Sequence, residues 1–444
     1  MSKDKFGLAD QARAKLVKRF LVRKAGSESA SREVSGAAGD ANRSIPDTFC
    51  RFDRFPEYEK ILVPKVAAKR MGIENPFFKS HEGSAGATTM IDGRSYINFS
   101  SYNYLGLSGH PRVNKAAREA IERYGTSASA SRLVAGERPI QRELEEALAG
   151  YYGVDDCLVF VSGHATNVTT IGYLFGPKDL VLHDSIIHNS VLEGVKLSGA
   201  SRRSFPHNDY EALDALLTEI RGQFERVLIV IEGLYSMDGD LPNLPKFIEV
   251  KKRHKAFLMV DEAHALGVVG ETGRGIHEHY GVDSKEVDIW MGTLSKTLAS
   301  CGGYIAGETA LVEHLKYAAP GFVYSVGIAP PSAAAALEAL KILQEEPERV
   351  ERLQQRGQAF LEKCRARNID VGLSQGYAVV PAIIKSSLKA TKASSHLFEH
   401  GINVQPIIYP AVEERLARLR FFITSTHTNE QLDATAAALA DTVS

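Results

Sequence analysis

The feature that most constrains the fold is a series of five short apolar segments in the middle of the chain. They cover residues 158–161, 180–183, 227–231, 257–260 and 289–291, and helical periodicity fills most of the intervals between them. Continuous apolar strands that alternate with helices are typical of a parallel sheet covered on both faces. The sequence therefore predicts an α/β domain with a mainly parallel sheet.

The rest of the chain is expected to divide around this domain. Residues 1–45 are a basic segment with a Ser/Gly/Ala-rich linker, and residues 46–100 form an N-terminal arm. The large domain extends over residues 101–330. Residues 331–444 are predicted to hold connecting helices and a small α+β domain, with strands near 379–384, 403–407 and 419–424.

The amino-acid composition argues against several classes of protein. A net charge of −1 provides no basic field for nucleic acid, and four widely spaced cysteines favour neither a disulfide framework nor a zinc site. No run of 18 apolar residues is present, so no membrane span is predicted. We expect a cytoplasmic enzyme without a metal. Its basic N-terminus is either a disordered tail or an amphipathic helix that contacts an acidic protein or the inner membrane surface.

One lysine lies in a loop of small residues after the last apolar segment. Residues 288–303 read Asp-Ile-Trp-Met-Gly-Thr-Leu-Ser-Lys-Thr-Leu-Ala-Ser-Cys-Gly-Gly, which places the lysine at Lys296. Its small and apolar neighbours hinder the ammonium from reaching water, so burial would lower its pKa and make it a nucleophile for a carbonyl. The alternative is an ordinary lysine of a surface loop.

A second stretch favours the nucleophile. Residues 257–264 read Phe-Leu-Met-Val-Asp-Glu-Ala-His, so an apolar segment ends at Asp261. Strand ends line the ligand crevice of parallel sheets, and an acid and a lysine there suit pyridoxal phosphate. The lysine would hold the aldehyde as a Schiff base while the carboxylate keeps the pyridine nitrogen protonated. Asp-Glu-Ala-His also occurs in helicases, but their phosphate loop needs a Gly-Lys dipeptide, which this chain lacks.

Three other segments indicate a ligand-binding site less strongly. Residues 162–167, Ser-Gly-His-Ala-Thr-Asn, follow a strand and open a helix, whose N-terminus could hold a phosphate or merely connect two elements. His188 could stack on a cofactor ring; a metal pair with His183 would lack a third spaced ligand. Arg418 and Arg420 point to one face of a late strand, either into solvent or as a clamp for a carboxylate.

Seven motifs, in this order, resemble the α-oxoamine synthases. This pyridoxal-phosphate family includes serine palmitoyltransferase, 8-amino-7-oxononanoate synthase, 5-aminolevulinate synthase and glycine C-acetyltransferase. The motifs are Ser101-Tyr-Asn-Tyr-Leu-Gly106, Ser162-Gly-His-Ala-Thr-Asn167, His188-Asn-Ser, Glu232-Gly-Leu-Tyr-Ser-Met-Asp-Gly239, Asp261-Glu-Ala-His264, Gly292-Thr-Leu-Ser-Lys296 and Ala417-Arg-Leu-Arg420. The resemblance covers about Phe77 to the C-terminus. It implies an aspartate-aminotransferase-like fold of type I and a homodimer with active sites at the subunit interface.

The resemblance also implies roles for single residues. Lys296, His188 and Asp261 would be catalytic, as Schiff-base lysine, ring-stacking residue and partner of the ring nitrogen. The cofactor would further be held at its phenolic oxygen or phosphate by Ser236, His264, Gly163, His164, Thr293 and, from the neighbouring subunit, Ser325. Asn103, His188 and Arg420 would contact substrate, with Arg420 on the amino-acid carboxylate.

The activity implied is the decarboxylative condensation of an amino acid with an acyl thioester, carried by coenzyme A or acyl carrier protein. The motif at Ser101–Gly106 is closest to that of bacterial serine palmitoyltransferase, which favours L-serine, a long-chain donor and 3-ketosphinganine, the first product of sphingolipid synthesis. Residues 407–412, Ile-Ile-Tyr-Pro-Ala-Val, instead resemble the glycine-using branches. The alternatives are an 8-amino-7-oxononanoate synthase, a glycine C-acetyltransferase-like enzyme using alanine or glycine, and an aminotransferase.

Overall fold

The computed structural model describes residues 45–70 and 75–443, and these residues divide into two units, with the boundary between residues 68 and 69. In the first unit, the single-turn helices Asp47–Phe49 and Phe52–Arg54 precede helix α1, Pro56–Arg70. Pro56 suits the start of α1, because the first N–H of a helix has no internal partner. Residues 1–44 of the predicted basic segment lie outside the described residues.

The second unit contains the strands of the fold. They are β1 Thr88–Ile91, β2 Arg94–Asn98, β3 Asp156–Phe160, β4 Leu180–Asp184, β5 Ser201–Phe205, β6 Val227–Glu232, β7 Phe257–Asp261, β8 Ile289–Thr293, β9 Gly303–Gly307, β10 Val379–Ile383, β11 Ile402–Asn403, β12 Gln405–Ile407 and β13 Arg418–Phe422. Seven of them form one sheet in the order β3-β9-β8-β7-β6-β4-β5. β9 runs antiparallel to its two neighbours, β3 and β8, and the other neighbouring strands of this sheet are parallel. The predicted α/β architecture with a mainly parallel sheet is confirmed.

Helices connect these strands and follow them. They are α2 Pro111–Tyr124, α3 Pro139–Tyr152, α4 Gly163–Leu174, α5 Asn189–Ser198, α6 Tyr210–Ile220, α7 Leu244–His254, α8 Ile276–Tyr280, α9 Thr309–Ala318, α10 Pro320–Val323, α11 Pro330–Glu345, α12 Glu348–Arg365, α13 Ser387–Glu399 and α14 Asn429–Val443. Within residues 45–70 and 75–443, no helix combines the length and apolar character that crossing a membrane requires.

Two apolar layers cover the large sheet. Along β6, Leu228 and Val230 join one buried cluster, whereas Val227, Ile229 and Ile231 join the other. This division arises because successive side chains of a strand point to opposite faces. Burial on both faces explains why the central strands carry unbroken apolar runs.

Two strands of the large sheet were not predicted from the sequence. β5 reads Ser-Arg-Arg-Ser-Phe and lies at the sheet edge, where four of its five residues are exposed. β9 reads Gly-Tyr-Ile-Ala-Gly and begins and ends in glycine. An edge strand needs no apolar run, and glycine lowers strand propensity, so neither pattern resembles a buried strand.

The C-terminal part contributes two small sheets. β10, β13 and β12 form an antiparallel sheet, and β11 pairs in parallel with β2 of the β1–β2 hairpin. The hairpin, within the predicted N-terminal arm, therefore shares a sheet with a C-terminal strand. The antiparallel sheet carries Arg418 and Arg420 on β13.

Candidate active site

Three parallel strands end side by side, and each leads to a titratable side chain. β6 ends at Glu232, β7 ends at Asp261, and Lys296 follows the end of β8. Glu232 lies opposite Asp261 in the β6–β7 register. Because the carboxyl ends of parallel strands share one edge, the sheet brings the predicted acid and lysine together.

One cavity collects most of the residues predicted from the sequence. Its lining includes Gly163, His164, His188, Ser236, Asp261, His264, Thr293 and Lys296. Asn167, Ser190 and Glu232, to which the sequence analysis gave no role, line it as well. The cavity is thus assembled from segments that follow five strands of the large sheet.

Lys296 is half-buried between this cavity and a neighbouring depression that it also lines. Burial lowers the pKa of its amine to about 8, against the opposing attraction of Asp261 and Glu232. At a pKa of about 8, about a tenth of the Lys296 amine is neutral at pH 7, far more than for a solvated lysine. The Nζ atom lies 5.5 Å from the centre of the Tyr102 ring.

Asp261 is buried and held in one orientation. Its Oδ2 accepts a hydrogen bond of 3.0 Å from Asn167 Nδ2, and its Oδ1 accepts one of 3.0 Å from the backbone N–H of Ala263. The other amide hydrogen of Asn167 reaches Ser190 Oγ at 2.9 Å. Asn167 therefore links the carboxylate to the histidine described next.

His188 is the residue before helix α5. Its Nδ1 accepts from the backbone N–H of Ser190 at 3.3 Å and lies 2.7 Å from Ser190 Oγ. Because Nδ1 accepts, neutral His188 carries its proton on Nε2. Burial lowers the pKa of His188, with Asp261 opposing the shift, so the ring is neutral near pH 7.

His264 is buried in the lining of the same cavity, and a 2.7 Å hydrogen bond joins its Nδ1 to Tyr104 Oη. Burial, together with the positive charges of Lys296 and Arg420, holds the pKa of His264 well below its usual range. Burial also raises the pKa of Tyr104, so the phenol keeps its proton. His188 and His264 are therefore both uncharged at neutral pH.

The N-terminus of helix α4 opens onto the cavity. Ser162 caps this helix through its Oγ, and the first-turn N–H groups have no partner within the helix. A Cβ added to Gly163 would lie 2.8 Å from Thr293 Oγ1, so only glycine permits this approach. Thr293 Oγ1 itself donates to Gly302 O at 2.9 Å. Backbone N–H groups at this helix start are therefore available to an anion, whereas the Thr293 hydroxyl already donates to the protein.

The two arginines of β13 differ in their partners. Arg418 is buried, and its Nη1 donates to Asp238 Oδ1 at 2.7 Å. Arg420 Nη1 donates to Ser236 O at 2.9 Å, and its guanidinium lies 4.7 Å from the Phe422 ring centre. Arg420 Nε is buried and has no hydrogen-bond partner among the described residues. Arg420 can therefore still bind a carboxylate, whereas Arg418 is engaged in the fold.

Asn103 and Ser325 lie outside the main cavity. Asn103 lines the depression next to Lys296, but its amide binds Ala85 O at 2.8 Å and the Ser108 N–H at 3.0 Å. Ser325 lines a separate depression beside Phe322. Its predicted contact with a cofactor in the neighbouring subunit stays a prediction.

Glu232 and Asn167 belong to two of the seven sequence motifs, but neither is among the predicted site residues. For Glu232 a signal was available. It ends the apolar segment of β6 in the same way that Asp261 ends β7. Asn167 gave no such signal, because a helical asparagine contacts Asp261 only once the sheet is assembled.

Comparison with known proteins assigns the family. Residues 94–439 match the family model described as aminotransferase class I and II. The chain is 40% identical over 355 residues to 8-amino-7-oxononanoate synthase from Fervidobacterium nodosum, an alignment that covers 79% of this chain and 89% of that protein. The chain belongs to the α-oxoamine synthase family. It is thus a pyridoxal-phosphate-dependent enzyme of fold type I, and the predicted fold and cofactor are confirmed.

Two further similar proteins help to decide which branch of the α-oxoamine synthase family this chain resembles most. The 8-amino-7-oxononanoate synthase from Thermoanaerobacter pseudethanolicus is 38% identical over 353 residues, covering 80% of this chain and 89% of that protein. Among solved structures, Sphingomonas wittichii serine palmitoyltransferase is similar with a TM-score of 0.83 and 27% identity, covering 87% and 97% of the two chains. The sequence relatives favour the alternative function over the L-serine specificity expected first.

The residues present fit pyridoxal phosphate. Gly163 lets Thr293 approach the start of helix α4 closely, and the N-terminus of this helix provides donors for a phosphate. A buried carboxylate and a lysine of lowered pKa lie on the same sheet edge. Glu232 Oε1 and Arg420 Nε are buried and have no hydrogen-bond partner among the described residues, so both could still bind a ligand.

Proposed function

We propose that this α-oxoamine synthase condenses L-alanine with the thioester of a seven-carbon dicarboxylic acid, as an 8-amino-7-oxononanoate synthase. The supporting observation is the 38–40% identity to proteins of that name over about four fifths of the chain. The name of the product, 8-amino-7-oxononanoate, indicates the two substrates. Its amine-bearing end is alanine without the carboxyl group, and the other seven carbons form an acyl chain that ends in a carboxylate.

The surroundings of Asp261 and Lys296 support the catalytic roles proposed for them. Bound pyridoxal phosphate supplies an electron sink for the carbanions formed on loss of a proton or of CO2. Asp261, oriented by Asn167, would keep the ring nitrogen protonated. Lys296 would hold the cofactor until the amino acid displaces it, and would then remove the α-proton as a base of suitable pKa.

The remaining side chains would bind and orient the reactants. His188, with its proton on Nε2, would stack on the ring and donate to the substrate. Ser236 and His264 would approach the phenolic oxygen, and backbone groups of Gly163 and His164 the phosphate. Arg420 would bind the amino-acid carboxylate through Nε, which has no hydrogen-bond partner in the described part of the chain.

A second candidate is the condensation of L-serine with a long-chain acyl thioester. It is supported by the Ser101–Gly106 motif and by the similarity to solved serine palmitoyltransferase. Both candidates need the same proton transfer and the same loss of CO2. They differ in the amino acid and in whether the far end of the acyl chain is charged.

A visible-absorption titration of the holoprotein with L-alanine, L-serine and glycine should separate the candidates. We expect saturation by L-alanine at a concentration at least tenfold below that for L-serine, since an apolar pocket typically discriminates against an added hydroxyl by about 10²-fold. A reversed order would favour the second candidate. Thiol release with dicarboxylic and long-chain thioesters provides the matched test of the acyl pocket, and CO2 release excludes an aminotransferase.

We further propose that the basic N-terminal segment, residues 1–45, docks an acidic acyl carrier protein that delivers the donor. Deleting residues 1–45 should raise the KM for an acyl-carrier-protein thioester about tenfold and leave the KM for the amino acid unchanged. The coenzyme A thioester serves as the control donor, because it lacks the acidic protein surface. Equal KM changes for both donors, or none, would contradict the proposal; loss of vesicle binding instead would indicate membrane contact.

A further inference from the structure

Glu232 is a buried carboxyl group to which the proposed function assigns no role. It ends β6 with 3% of its surface exposed. Its Oε2 accepts a hydrogen bond of 2.9 Å from the backbone N–H of Ser236. Its Oε1 is buried without a partner among the described residues, and the side chain lines the cavity that holds Lys296. An unpaired buried carboxyl oxygen is costly, so a ligand contact would relieve it.

The charges around Glu232 favour its neutral form. Burial raises its pKa to about 8, and the negative charges of Asp261 on β7 and of Asp184 on β4 act in the same direction. The Ser236 N–H and the Lys296 amine oppose this shift. At pH 7 the side chain is therefore mainly a carboxylic acid, which can donate a hydrogen bond.

The other titratable groups of the cavity add little to this balance. His188 and His264 have lowered pKa values and are uncharged near pH 7. Arg420 reaches the same segment, but it binds the carbonyl oxygen of Ser236. Asp261 thus remains the principal charge that faces Glu232 across the β6–β7 register.

The strand order locates Glu232 relative to the cofactor. The phosphate seat follows β3, Lys296 follows β8, Asp261 ends β7, and Glu232 ends β6 in the sheet order β3-β9-β8-β7-β6. In pyridoxal phosphate, the phosphate arm and the ring hydroxyl lie on opposite sides of the line from the ring nitrogen to the aldehyde carbon. A phosphate held on the β3 side therefore directs the hydroxyl toward β6.

We propose that Glu232 carries its proton on Oε1 and donates it in a hydrogen bond to the ring hydroxyl oxygen of pyridoxal phosphate. An ionised Glu232 would instead repel this oxygen and add a second negative charge beside Asp261. The acid supplements Ser236 and His264 on this side of the ring. The inference rests on the cofactor orientation proposed above and is independent of the amino acid and acyl donor.

The test is the dissociation constant of pyridoxal phosphate, measured with the full-length apoprotein between pH 7 and pH 9.5. Quenching of Trp290, the single tryptophan of the chain, reports binding. Glu232→Gln keeps a hydrogen-bond donor and can still accept from Ser236, but it does not ionise. The ratio of the wild-type to the Glu232→Gln dissociation constant should be near one at pH 7 and rise about tenfold by pH 9.5. Titration of the free cofactor cancels in this ratio.

Glu262→Gln is the matched control. Glu262 is also buried with a pKa raised to about 8, but its Oε1 accepts from the Ile276 N–H, away from the cavity. Its variant should keep the wild-type pH dependence. Glu232→Ala should bind the cofactor about tenfold more weakly at pH 7 and shift its visible absorption maximum.

Two results would overturn the inference. The first is a ratio of the wild-type to the Glu232→Gln dissociation constant that stays constant with pH. A Glu232 side chain that binds only the Ser236 N–H, and not the cofactor, would give this result. The second is a folded Glu232→Ala protein with wild-type affinity and spectrum at pH 7. If Glu232→Ala does not fold, the pH dependence of Glu232→Gln decides the question by itself.

Discussion

Replacing Lys296 with alanine is expected to abolish the covalent link to pyridoxal phosphate and to lower turnover by at least about 10²–10⁴-fold, the usual contribution of a general base. Mass spectrometry after borohydride reduction should find the cofactor on Lys296 in the wild type and nowhere in the variant. Lys285→Ala is the matched control, because Lys285 is exposed and bound to Asp155. Turnover within tenfold of the wild type would refute the role of Lys296.

The same variant should be more stable as apoprotein. Burial depresses the pKa of Lys296 from 10.5 to about 8, so the folded state disfavours the charged amine. Removing this amine should raise the free energy of unfolding at pH 7 by up to about 3 kcal/mol. The difference should shrink as the pH rises from about 8 to 10.5, where the unfolded chain also loses its proton. Denaturant unfolding at several pH values measures this effect and excludes misfolding as the cause of lost turnover.

Arg420→Ala should weaken amino-acid binding by about 10²–10³-fold, because truncating one partner of a buried charge pair typically costs about 2–5 kcal/mol. This expectation is based on the buried Nε of Arg420, to which residues 45–70 and 75–443 offer no hydrogen-bond partner. Absorption titration of the holoprotein with the amino acid gives the dissociation constant. Arg420→Lys should recover part of the affinity, since lysine keeps the charge but not the planar pair of donors.

Arg418→Met is the control for this experiment. Arg418 is buried and bound to Asp238, so breaking the pair should lower the free energy of unfolding by about 3–5 kcal/mol. The amino-acid affinity of the folded variant should stay close to that of the wild type. If Arg418→Met loses affinity and Arg420→Ala does not, the assignment of the two arginines is wrong.

Tertiary contacts also fix the loop that carries Ser236, through residues that the sequence did not single out. His207 lies between two buried carboxylates, with Nδ1 3.0 Å from Asp184 Oδ1 and Nε2 3.0 Å from Asp240 Oδ2. Hydrogen bonds to these carboxylates raise the pKa of His207 to about 10, despite the opposing effect of burial. Tyr235, next to Ser236, donates to Asp184 Oδ2 at 2.8 Å. An isolated histidine in a sequence gives no sign of such a network.

The sequence by itself predicted five strands of the large sheet and the acid and the lysine that lie at its edge. Apolar runs on β6, β7 and β8 require burial on both faces, and the polar residues that end or follow such runs lie at one sheet edge. Asp261 and Lys296 could therefore be assigned to one site from the sequence alone. β5 and β9 could not be predicted, because an exposed edge strand and a glycine-bounded strand lack the apolar pattern.

The tertiary structure alone decided which polar groups remain available. Arg418 and Arg420 are equivalent in the sequence pattern, but Asp238 binds the first, whereas Nε of the second has no partner among the described residues. Glu232 becomes a neutral acid because folding buries it opposite Asp261. Hydrogen-bond partners and pKa values depend on residues that are distant in the chain, so local sequence patterns cannot specify them.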